Sequence, residues 1–210
     1  MQTRTKIIQI FLFLLLFQTP AFTKDYKLVE IFSGLNKPWG MSFIDNDNLL
    51  LTQKSGGIFK INLKNKEITE LKHDLNVFEA GWQAGMLDIH YFDGNVFVSY
   101  TEKMDGMNTS TSVATGRLVD DKLVNFRNIF QSTPPIDTDL HWGSRLAIKD
   151  NVLYASVGER AMGNAAQDPS NHFGKIIRIN LDGSIPKDNP VFEDNENWLP
   201  EIYQIGLRNP

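Results

Sequence analysis

Past the first two dozen residues, apolar positions come in short runs with turn-forming residues between them. Three of these runs are NLLLTQ from Asn48, NVFVSYTE from Asn95 and NVLYASVGE from Asn151. Each follows a turn-like Asp, Gly or Asn, and each is rich in aliphatic, β-branched or aromatic side chains. That pattern predicts strands. An apolar partner precedes each run: GMSFI, GMLDIHYF and SRLAI. Another follows it: GGIFKINL, ATGRLVDDKL and GKIIRINLDGS. No long stretch carries the 3.6-residue period of a helix. The chain therefore reads as all-β, built from a unit of strand, turn, strand, loop, strand.

The anchoring asparagines recur at intervals of roughly fifty residues, the period of propeller blades. A β-sandwich also offers regular short strands, but the same order of segments in three units favours the propeller. EIYQIGLRNP supplies what reads as the opening strand of a fourth unit, and the sequence stops at Pro210. An unclosed ring leaves blade edges unpaired. The expectation is a propeller cut short after about three blades plus the first strand of a fourth.

The N-terminus changes this picture only at its edge. Arg4 and Lys6 precede an apolar run from Ile7 to Phe17, and Pro20, Ala21 and Thr23 follow. That is the order of a secretory signal peptide, and the run is shorter than the ~20 residues of a membrane span. A retained anchor is the alternative. The domain expectation is a signal peptide at 1–23 and an incomplete propeller at 24–210, exported to a periplasmic or extracellular space. There are no cysteines, which excludes disulfides, thiolate zinc and iron–sulfur chemistry. The net charge of -4 and the lack of a basic tract give no footing for nucleic acid.

Candidate chemistry begins at DLHWGSRLAI, where His141 sits just before a strand that would line the central channel. The ordinary histidine pKa of about 6.5 suits proton removal near neutrality; a turn histidine bonded to backbone is the alternative. FEAGWQAGMLDI puts Gln83, and IGLRNP puts Arg208 and Asn209, at the corresponding place in other units. Convergence at one mouth is a stronger signal than any one of them, and arginine suits carboxylate recognition. The loop after VGE holds Glu159, Arg160, Gln167 and Asp168 and is longer than a tight hairpin needs. His73, His90 and His172 lie elsewhere, without zinc-motif spacing. Nucleophile-elbow, Walker and dinucleotide motifs are absent.

GLNKPWGMSFI, WQAGMLDI, HWGSRLAI, VGERA followed by AQD, GKIIRINLDGSIPKDNPVF and EIYQIGLRNP stand in the order seen in soluble PQQ-dependent aldose sugar dehydrogenases. From about Leu28 to Pro210 the chain resembles this glucose/sorbosone dehydrogenase family. The resemblance implies a six-bladed propeller with pyrroloquinoline quinone (PQQ) in the central mouth, calcium ions and a periplasmic location. It implies that His141 is the base that takes the anomeric proton of an aldose. Hydride passes to the quinone, the product is a lactone, and an external acceptor collects the electrons. It places Gln83, Arg208 and Asn209 at the cofactor and Glu159 and Gln167 near the substrate.

Two departures stand out. Well-known glucose-oxidising members carry an acid directly before the base. Leu140 occupies that place here, with Asp139 one position earlier, so a carboxylate beside the imidazole is expected to be missing. The lysine, further arginines and calcium ligands of the later blades have no counterpart in 210 residues. This polypeptide alone is therefore expected to bind PQQ weakly or not at all. No metal ligand is assigned. A non-catalytic sugar- or protein-binding propeller and a calcium-dependent lactonase are the alternatives from other classes.

Overall fold

The computed structural model describes residues 26–193 and 195–210. The expected signal peptide lies outside the described residues. The chain divides into two units, 1–31 and 32–210. In the first, residues 26–31 carry no helix or strand. Among the described residues the second unit holds twelve strands and one short 3-10 helix, Gly163–Gln167. No helix among the described residues is long and apolar enough to cross a membrane.

The strands form three four-stranded antiparallel sheets, each running in chain order from inside to outside. The first contains β1 (Pro38–Phe43), β2 (Asn48–Gln53), β3 (Ile58–Asn62) and β4 (Ile68–Glu70). The second contains β5 (Met86–Phe92), β6 (Asn95–Lys103), β7 (Thr109–Val119) and β8 (Lys122–Gln131). The third contains β9 (Gly143–Lys149), β10 (Val152–Val157), β11 (Lys175–Asn180) and β12 (Ile202–Gln204). Strand β5 packs against both β1 and β9. The strand that opens each sheet is thus the inner strand of a propeller blade.

Local chemistry explains the hairpins. Asp93-Gly94, Asp120-Asp121 and Asp150-Asn151 all have positive φ at both positions. They join β5 to β6, β7 to β8 and β9 to β10 through two-residue turns, whose twist matches the strands. Alternation then sorts the faces. Leu153, Ala155 and Val157 of β10 and Ile177 of β11 pack against Phe97, Val113 and Phe130 of the second sheet. Leu50 and Ile58 of the first sheet meet Met86, Ile89, Val96 and Val98 of the second.

One device recurs in every blade. The inner-strand ladder is irregular at Pro38/Met41 and Met86/Ile89, and opposite Ala155/Val157 in the third sheet. There a hydroxyl of the second strand accepts the inner strand's N–H: Thr52 from Gly40, Ser99 from Asp88, Ser156 from Arg145. The same hydroxyl donates onward: Thr52 to Leu87 O and Ser99 to Ser144 O of the next inner strand, and Ser156 to Pro210 O of the segment after β12. Each rivet patches a bulge, and the first two also fix one blade to its neighbour.

Two expectations need correction. The units have four strands, not three: β4 is a three-residue outer edge with little pattern, and β8 is a separate outer strand that the reading of ATGRLVDDKL merged with β7. EIYQ does not open a fourth unit. Ile202–Gln204 pairs with β11 and completes the third sheet, with Ile202 fully buried. A long loop between β11 and β12 made the outer strand look like a new beginning. The following IGLRNP does cross to the inner edge: Pro210 accepts Ser156 just as Leu87 accepts Thr52.

Candidate active site at the propeller mouth

The loops that enter the inner strands meet around one axis. Their side chains line a cavity of about 250 Å³ formed by Trp39, Gln83, Leu87, Trp142, Gly143 and Asn209. The first sheet, the second, the third and the segment after β12 each contribute to it.

His141 stands at its edge with φ of +52°, a left-handed conformation uncommon outside glycine. Its backbone N–H donates to Gln83 Oε1 at 2.8 Å. Its Nδ1 lies 2.5 Å from Glu159 Oε1. Glu159 sits two residues past the end of β10, and its side chain is 6% exposed against 15% for His141. An ionised carboxylate accepts only, so beside it the Nδ1 of a neutral ring would carry the proton and Nε2 the lone pair.

The carboxylate is itself held. Gly163 N–H donates to Glu159 Oε2 at 3.1 Å, and Arg208 Nε stands 3.9 Å from Oε1. Glu159 N–H donates to Arg208 O at 2.7 Å, and Asn209 Oδ1 accepts the Gly143 N–H at 2.9 Å. The RNP segment is therefore stitched to both arms of the His141–Glu159 pair. Backbone spacing leaves no slack here: a Cβ on Gly158 would meet the His141 carbonyl oxygen at 1.8 Å.

Gln83, His141, Glu159, Arg208 and Asn209 are thus brought together as the sequence suggested. Gln167 is not. It is exposed at the end of the 3-10 helix and lines a separate cavity with Pro169, Phe192 and Ile205. The expected loss of a carboxylate beside the imidazole is also corrected. Asp139 points at Gly81, and Glu159, eighteen residues on from the histidine, fills the role. Asp168 turns back on its own loop. Hydrogen bonds from Ser170 hold its carboxyl below the usual range.

Sequence reasoning missed Trp39 and Trp142 as mouth residues. The signal was present in PWG and HWG, an indole before a glycine at the entry to an inner strand. It also missed that Arg160 is buried rather than part of a polar loop surface. Two of the remaining histidines have partners of their own. His73 Nε2 bonds Gly56 O, and His172 Nδ1 accepts the Thr133 N–H. Among the described residues no group of three or more His, Cys, Asp or Glu side chains is arranged to hold a metal ion.

Chemically, the arrangement is an imidazole oriented by a carboxylate, with a guanidinium near that carboxylate and a cavity lined by two indoles and two amides next to it. The family model for glucose/sorbosone dehydrogenase matches residues 35–210. Aldose sugar dehydrogenase YliI of Escherichia coli is 31% identical over 185 residues, covering 84% of this chain and 49% of that protein. Quinoprotein glucose dehydrogenase B of Acinetobacter calcoaceticus is 25% identical, covering 90% of this chain and 46% of that protein. The chain spans about half the length of the curated relatives it matches over most of its length. A solved glucose dehydrogenase superposes with a TM-score of 0.81 at 29% identity, covering 87% of this chain and 59% of that one. The PQQ-bound aldose sugar dehydrogenase of Streptomyces coelicolor gives 0.72 at 25% identity, covering 87% and 54%. The chain belongs to the glucose/sorbosone dehydrogenase family.

Proposed function

We propose that the mouth is the base-bearing side of a PQQ-dependent aldose oxidation site in an exported protein. The observation that carries this reading is the His141–Glu159 contact of 2.5 Å at the rim of a cavity walled by two indoles. The residues fit the cofactor. Trp39, 43% exposed, offers flat apolar surface, the buried Trp142 backs the cavity, Gln83 and Asn209 offer amides, and Arg208 suits a planar polyanion. When bound, PQQ would supply the two-electron acceptor. No calcium ligands are assigned, because the described residues hold no suitable cluster.

The chain's own part is to bind, orient and move one proton. Gln83 and Glu159 grip His141 from its backbone and its ring, so Nε2 presents a fixed lone pair. Nε2 takes the proton of the anomeric hydroxyl as the C1–H bond breaks with its electron pair. The sugar leaves as a lactone, oxidised by two electrons. The imidazolium then gives its proton to solvent, and an external acceptor takes the electrons. Glu159 stabilises the imidazolium as it forms. Positioned general-base catalysis of this kind contributes about 10²–10⁴-fold.

The test is dye-linked oxidation of an aldose with PQQ and calcium added. It is run on the chain alone and on the chain fused to the second half of the Escherichia coli relative. PQQ-dependent lactone formation that falls at least about 100-fold in His141→Asn is expected. Unchanged turnover in that variant, or lactone hydrolysis with no electron acceptor, would overturn the reading.

A further inference from the structure

We infer that Arg160 is a positioning residue for His141, a role that rests on reading His141 as the base. The residue is 1% exposed, and the central carbon of its guanidinium lies 3.3 Å from the centroid of the Trp142 ring. Nη2 donates to Thr138 O at 2.6 Å and to Thr109 Oγ1 at 3.0 Å. One planar cation thus touches the chain on both sides of His141, three residues before it and one after.

Arg160 is also the residue next to Glu159. The same backbone that delivers the carboxylate to Nδ1 delivers the guanidinium to the two flanks of the histidine. Loop and carboxylate are registered to each other through one side chain. Arg160 itself has φ of +54°, Ala161 +62° and His141 +52°. Two left-handed segments face each other, and the stack with its hydrogen bonds holds them there.

The burial is costly, which argues for a purpose beyond packing. Among the described residues Arg160 makes no ion pair within salt-bridge distance, and its Nε has no hydrogen-bond partner. Burial pushes the guanidinium pKa down to about 9, with Asp139 opposing the fall. An apolar side chain would fill this space without that cost. It would not accept the geometry of a ring on one side and a carbonyl on the other. Lysine would keep the charge and lose the plane.

The test compares the chain with Arg160→Lys and Arg160→Met by NMR. The readout is the low-field Nδ1–H resonance of His141 against Glu159, assigned by its absence in His141→Asn. Circular dichroism and methyl shifts report folding. Both folded variants should lose this resonance or move it upfield, with lysine failing to rescue it. Trp142→Phe should move it in the same direction by less. An unchanged resonance in either folded Arg160 variant would overturn the assignment. So would loss of folding in both, which would make Arg160 a structural strut. The resonance does not depend on catalysis, so failure of the base reading would show separately, as unchanged turnover in His141→Asn.

Discussion

Gly158→Ala is the sharpest perturbation the mouth offers. The new methyl would sit 1.8 Å from the His141 carbonyl oxygen, 2.3 Å from its carbon and 3.0 Å from Gly143 N. These are backbone atoms and have no rotamer to retreat into. Restoring van der Waals contact requires the two segments to part by about 1.5 Å. The Nδ1–Oε1 distance of 2.5 Å is set by those same segments. Opening it by that amount takes it to roughly 4 Å, beyond hydrogen-bond range. Losing a charge-assisted bond to a buried carboxylate costs about 1.5–3 kcal/mol. Overpacking adds about 1–3 kcal/mol. The total is roughly 2.5–6 kcal/mol, read as a lower urea midpoint, with loss of the His141 Nδ1–H resonance. A change under about 1 kcal/mol with the resonance intact would refute the close-approach reasoning.

Three further outcomes are expected. Glu159→Gln keeps the shape and removes the charge. The difference between charged and neutral hydrogen bonds, about 1–2 kcal/mol, should lower aldose turnover roughly 5- to 30-fold with little change in sugar affinity; unaltered turnover would remove Glu159 from the mechanism. Ser99→Ala strips the partner from Asp88 N–H and Ser144 O at a fully buried position. It should destabilise by about 2–4 kcal/mol in urea titration, and a neutral result would show that the rivets do not join the blades. Glu201 lies 3.3 Å from the buried His172 ring, which holds its carboxyl below the usual range. A depressed carboxylate contributes stability above its unfolded pKa of about 4.3 and loses it as pH falls through the lower folded value. Glu201→Gln should therefore flatten the acid limb of the stability profile, and an unchanged limb would contradict the pairing.

The strands were legible because hydrophobic runs and Asp-containing turns coincide, as at Phe92-Asp93-Gly94-Asn95. Outer strands were not. Ile68–Glu70 is three residues, largely exposed, and carries little pattern. The convergence of Gln83, His141 and Arg208 was readable from their repeated place before an inner strand. The Glu159 contact was only half readable, since an acid in a loop gives no sign of which ring it will meet. Arg160 shows the limit most clearly. Nothing in GERAMG tells that the glutamate turns to the mouth and the arginine into the core. Two successive positive φ values, at Arg160 and Ala161, decide that, and non-glycine residues do not advertise them. The rivet hydroxyls Thr52, Ser99 and Ser156 were likewise hidden among ordinary strand residues.

The claim on which the account turns is that the indole-walled mouth receives PQQ. Titrating PQQ into the isotope-labelled chain, up to millimolar concentration, tests it directly even if binding is weak. The account predicts saturable shifts at the His141 ring, the Gln83 and Asn209 amides and the Trp39 and Trp142 indoles, with the Gln167 amide unmoved. Shifts centred elsewhere, or none at those five side chains, would contradict it.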